Sequence, residues 1–99
     1  MSAAAGTRVL VLEDDKSLSE ILCEELGARG FRPMPADSVA EAIEHLRRFE
    51  FEVALLDLML PDGSGIDVLR HVTEERLATE AIVLTGYAQV QTALEAMRL

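Results

Sequence analysis

The chain has 99 residues, 49% of them apolar and 27% charged, and 9 Lys plus Arg against 18 Asp plus Glu give it a net charge of −9. That length makes one domain, with enough apolar content for a core and too much for disorder, while the acidic balance sets nucleic acid and anionic lipid aside as direct partners. The longest uncharged apolar runs, VLVL at 9–12 and VALL at 53–56, are far shorter than the ~20 residues of a membrane span. The start MSAAAGTR lacks a secretory n-region and h-region, and the single cysteine, Cys23, has no internal disulfide partner, so the cytoplasm is the expected compartment.

Residues 1–7 are small and polar without periodicity and read as a disordered leader to a domain at 8–99. VLVL at 9–12 stops at three consecutive acids, which suits a strand buried on both faces. Ser17 with Glu20 has the S-x-x-E spacing of a capping box, and Leu18, Ile21, Leu22 and Leu26 recur at helical spacing until Gly27 and Gly30. Residues 31–35 form a weak strand interrupted by Pro33 and Pro35, as a sheet edge tolerates. Ser38 and Glu41 repeat the capping box before a second helix, with Val39, Ala42, Ile43 and Leu46 on its apolar stripe and its end near Phe49. VALL at 53–56 is a second buried strand, ending at Asp57, and LMLPDGSG after it carries loop chemistry. Ile66, Val68, Leu69 and Val72 fit a third helix, and 81–84 a further strand that stops at Thr85 and Gly86. A fourth helix is expected from about Gln89, with Val90, Ala93, Leu94 and Met97 on its stripe.

The order βαβαβαβα predicts an α/β, doubly wound parallel sheet with helices on both faces, and ligand sites in such sheets lie at the carboxyl ends of the strands. That rule selects Glu13, Asp14, Asp57 and Thr85. Converging carboxylates repel unless a cation lies between them, and hard oxygen ligands favour Mg²⁺, which in turn suits phosphoryl transfer. Asp57 is then the best-placed nucleophile, able to form an acyl phosphate, and Thr85 can hydrogen-bond the phosphoryl group. His45 and His71 have no second ligand at metal spacing, Cys23 reads as a small apolar residue of the first helix, and Lys16 as a solvated charge near the acids.

Together VLVLEDD, VALLDLMLPDGSGIDVL and IVLTGYA resemble the receiver domain of two-component response regulators over residues 8–99. The resemblance rests on the acid pair, the D-x-x-x-P-x-x-x-G pattern through Asp57, Pro61 and Gly65, and the T-G after a strand, all in order. It implies a flavodoxin-like fold and phosphorylation of Asp57 by a histidine kinase or phosphotransfer protein. It further implies Mg²⁺ on Asp14 and Asp57, Glu13 on a metal-bound water, the Met59 backbone carbonyl on the metal, and Thr85 on the phosphoryl oxygen; Asp15, the third acid, belongs to the helix entry. The family also carries a lysine and an aromatic residue on a fifth strand, whereas the single lysine here is Lys16. The sequence is therefore expected to be a receiver lacking its last strand and helix, slow to react, with 81–84 as a sheet edge and a possible homodimer through residues 81–99. A phosphorylation-impaired interaction or dimerisation module is the alternative. A metal-dependent phosphohydrolase is disfavoured, because Leu58 and Met59, not a second acid, follow Asp57.

Overall fold

The computed structural model describes residues 6–84. Four strands, β1 (Arg8–Leu12), β2 (Arg32–Ala36), β3 (Val53–Asp57) and β4 (Glu80–Leu84), alternate with three helices, α1 (Lys16–Ala28), α2 (Val39–Arg48) and α3 (Gly65–Glu74). The sheet is parallel throughout, in the order β2-β1-β3-β4. The chain steps from β1 outward to β2 and returns past β1 to β3, so right-handed crossovers place α1 on one face and α2 and α3 on the other.

Alternation along the strands sorts the core. Val9, Val11 and Leu55 pack with Leu22 and Leu26 of α1. Leu10, Leu12, Ala54 and Leu56 pack with Val39, Ala42 and Leu46 of α2 and Val68 and Val72 of α3. Because both faces are covered, β1 and β3 read as unbroken apolar runs, as expected. β4 differs: Leu84 is buried, whereas Ala81, Ile82 and Val83 are only half-buried, since among the described residues β4 has one strand neighbour. The opposite edge, β2, directs the Arg32 N–H to the Thr7 carbonyl and the Ala36 carbonyl to the Glu13 N–H, so the alternating positions facing away from β1 are Pro33 and Pro35. Neither has an N–H to offer.

Several local expectations shift. Backbone pairing begins inside the expected leader, with Gly6 N–H on the Gly30 carbonyl and Thr7 bonded to Arg32. α1 is capped by Asp15 and not by Ser17: the Asp15 carboxylate accepts from Leu18 N–H at 3.0 Å, so the helix starts at Lys16. Ser19, Leu22 and Leu26 take its inward face, which leaves Ile21 rotated off it and 48% exposed. Gly27 lies within the helix, and Gly30, at φ +91°, provides the left-handed turn after it. Ser38 caps α2 as expected, but Glu41 accepts from Asp37 N–H at 2.8 Å and so ties down the residue before the cap. The reciprocal box falls at α3, where Ser64 Oγ accepts from Ile66 N–H and Asp67 accepts from Ser64 N–H at 3.0 Å. Ile66, expected on the core stripe, is 40% exposed beside the buried Gly65 and Val68. The expected fourth helix lies outside the described residues.

Candidate functional site

The pairing Leu12↔Leu56 aligns the ends of β1 and β3, so the next residues, Glu13 and Asp57, emerge side by side at the carboxyl edge of the sheet. Asp14 follows on the exposed side, and one carboxylate oxygen from each of Glu13, Asp14 and Asp57 lies within 4.8 Å of the others. The three acids singled out from the sequence are therefore brought together. Such a cluster is destabilising for an apoprotein, because like charges at this range disfavour one another's ionisation.

Glu13 registers that cost. Burial pushes its carboxyl from the ordinary 4.5 up to about 7, and the nearby Asp57 and Asp14 carboxylates add to the rise. The Asp15 N–H, donating to Glu13 Oε2 at 3.0 Å, works against it by favouring the charged form. Asp57 is half-buried at the end of β3, with Met59 N–H directed at its Oδ1 over 3.4 Å. The Met59 side chain is 77% exposed, so nothing apolar closes over this edge from that position. Lys16, in the first turn of α1, lines an open crevice of about 440 Å³ together with Glu13, Asp14, Glu20 and Asp37. Thr85 lies outside the described residues; β4 ends one residue before it, with Leu84 in register with Asp57 and its carbonyl accepting from Leu58 N–H at 3.1 Å.

Two contacts of the β3-to-α3 connection have no signature in the sequence. A Cβ on Gly65 would collide with the Asp57 carbonyl oxygen and lie 3.0 Å from the Leu56 Cβ, so the turn into α3 passes directly against the acid's own backbone. Only glycine permits that approach. The second is Asp62: its Oδ1 accepts from Val39 N–H at 2.9 Å and its Oδ2 from Ala40 N–H at 3.1 Å, which holds its carboxyl below the usual range. The P-D-G-S run signalled a turn, but no local pattern could reveal a partner 23 residues away. Elsewhere, His45 Nε2 lies 3.1 Å from the Pro35 carbonyl oxygen, and Cys23 is half-buried against the α1-side core. Neither approaches the acids.

With this geometry established, comparison with known proteins is decisive. The model of the response regulator receiver domain matches residues 9–99. The chain belongs to the response regulator receiver family. It is 40% identical over 91 residues to the acid tolerance regulatory protein ActR of Rhizobium meliloti, covering 92% of this chain and 47% of that protein. The chain thus spans about half the length of that curated relative. Among solved structures it is similar to the response regulator protein TrrA from Thermotoga maritima in complex with Mg(2+)-BeF, with a TM-score of 0.77 and 26% identity over 93% of this chain and 80% of that one. It is also similar to a response regulator protein from Burkholderia pseudomallei with a phosphorylated aspartic acid, calcium ion and citrate, with a TM-score of 0.75 and 28% identity over 93% and 54% of the two chains. The receiver fold expected from the sequence is the fold observed, and receiver domains act as signalling modules.

Proposed function

We propose that this receiver accepts a phosphoryl group on Asp57 from a histidine kinase or phosphotransfer protein in the cytoplasm, with Mg²⁺ held by Glu13, Asp14, Asp57 and the Met59 backbone carbonyl. The observation that carries the reading is the convergence of three carboxylate oxygens within 4.8 Å at the end of two buried strands. The donor set fits the ion: all ligands are hard oxygens, and a half-buried Glu13 whose proton is retained up to about 7 gains a reason to ionise when a cation arrives. In the transfer, an Asp57 carboxylate oxygen attacks phosphorus, the donor's nitrogen–phosphorus bond breaks, and an acyl phosphate forms on Asp57. The bound metal supplies compensation for negative charge on the phosphoryl oxygens. Gly65 keeps the Asp57 backbone seated, Asp14 faces solvent where the donor arrives, and Thr85 bonds the transferred group.

Incubation with acetyl phosphate and Mg²⁺, read by intact mass, tests this. One phosphoryl group is expected on the unaltered chain, none on Asp57→Asn, and almost none on Asp14→Ala, which also loses the Mg²⁺-induced NMR shifts. The single lysine of the chain, Lys16, sits at the start of α1 and does not match the family's fifth-strand lysine, so labelling is expected to lag behind a receiver that has such a cation by about 3 kcal/mol in the barrier. Label persisting in Asp57→Asn overturns the assignment. A chain that never labels yet binds partners supports the phosphorylation-impaired interaction module instead.

We propose residues 81–99 as the self-association surface, supported by the half-buried Ala81, Ile82 and Val83 on a strand that has one strand neighbour among the described residues. Sedimentation at micromolar concentration is expected to give a dimer; a stable monomer removes it.

A further inference from the structure

The 58–64 loop leaves β3 directly after Asp57, yet its firmest tether lies in neither element that it joins. Asp62 lays both carboxylate oxygens across the first two N–H groups of α2, Val39 at 2.9 Å and Ala40 at 3.1 Å. Those donors have no intrahelical partner, and the helix terminus favours negative charge, so the contact gains from both effects. The helix already has its own cap, because Ser38 Oγ accepts from Glu41 N–H at 3.1 Å. Asp62 therefore adds a bond between elements where a local cap was in place. The loop is folded to deliver it: Leu60 and Gly63 exchange backbone bonds at 3.0 and 3.4 Å, and a Cβ on Gly63 would lie 3.3 Å from Val39 Cγ2, so the turn rests on the start of α2. Behind the turn, Ser64 and Asp67 fasten the loop's exit to α3.

We infer that Asp62 is a positioning residue: it anchors the loop to α2 and thereby holds the Asp57–Met59 segment at the distance from Glu13 and Asp14 that a shared cation requires. The second half of this inference rests on the metal site proposed above; the anchoring half does not. The two amides favour the charged form of Asp62 and hold its carboxyl below the usual range, which strengthens the anchor.

Three variants of the full chain separate anchoring from simple helix stabilisation: Asp62→Ala removes the tether, Asp62→Asn keeps one oxygen acceptor, and Ser38→Ala weakens the same helix end without touching the loop. Amide hydrogen exchange without metal is the first readout. Asp62→Ala is expected to speed exchange at Leu60, whose N–H is bonded inside the loop, on the order of tenfold, with Asp62→Asn intermediate and Ser38→Ala near the unaltered rate. Equal loosening in Ser38→Ala, or unchanged Leu60 exchange in Asp62→Ala, overturns the inference. Mg²⁺ titration by NMR well below the unfolding temperature is the second. Asp62→Ala is expected to bind about tenfold more weakly, as loss of an outer support commonly does, with partial recovery in Asp62→Asn and none of the effect in Ser38→Ala. Unaltered Mg²⁺ affinity in Asp62→Ala overturns the positioning role. If the unaltered chain shows no Mg²⁺ shifts near residues 13–15 and 57–59, the metal site itself fails and the positioning role falls with it, while the exchange measurement still decides the anchor.

Discussion

The two ends of the sheet are built on opposite terms. At the amino end, Arg8 stacks over the Phe49 ring at 5.0 Å, Phe49 meets Phe51 edge-on at 6.4 Å, and Thr79 Oγ1 donates to the Phe51 carbonyl at 2.7 Å. Every one of these contacts favours the folded chain. At the carboxyl end, three acids crowd within 4.8 Å, and one of them holds its proton up to about 7. The same strands supply both ends, so the difference is not one of secondary structure. Stability is invested away from the acids, and the repulsion retained among them is what a bound cation would relieve.

The sharpest way to break this contrast is to substitute each end and measure both properties. Phe51→Ala, at a residue 3% exposed, is expected to cost ~3–5 kcal/mol in urea unfolding while leaving Mg²⁺ affinity of the folded chain unchanged. Asp57→Asn is expected to do the reverse, leaving the unfolding midpoint unchanged or higher. If Asp57→Asn destabilises as much as Phe51→Ala, the acids are structural and the contrast is false.

A smaller effect follows from Glu13. Its folded carboxyl is raised from 4.5 to about 7, so its contribution to the stability of the metal-free chain is fully present below pH 4.5 and is lost as pH rises through about 7. Mg²⁺ must displace that proton, so apparent affinity is expected to fall as pH drops below about 7, by up to tenfold per unit. Calorimetric titrations at several pH values check this, and Glu13→Gln is expected to flatten both dependences. Smallest is Thr79→Val, which removes the bond to the Phe51 carbonyl and is expected to cost about 1 kcal/mol in thermal unfolding with no change at the acids.

The reach of the sequence tracks the range of each interaction. The buried runs of β1 and β3 were legible because two covered faces leave no polar positions, and Glu13, Asp14 and Asp57 were legible because they end those runs. The start of α1 was misassigned because Asp15 and Ser17 are both cap-forming residues, and only the bond to Leu18 N–H decides between them. Gly65 stood out as a motif position, but its reason, the Asp57 carbonyl against it, is a distance across a turn. Asp62 gave no sign of its partner, because Val39 and Ala40 take part through backbone amides, which no side-chain pattern encodes.

Pro33 and Pro35 carry a consequence for how copies of this chain can associate. Within β2, the outward-facing positions have no hydrogen to donate, and one outward acceptor, the Pro35 carbonyl, lies within bonding distance of His45. A strand arriving there meets a ladder with its rungs removed. Among the described residues, strand pairing between copies is therefore left to β4, and a sheet extended on one side alone favours a pair of subunits over an open array. The prolines of one short strand thereby withdraw one of the two described edges from strand pairing, so growth of the sheet by repeated addition is disfavoured on that side by the covalent structure itself.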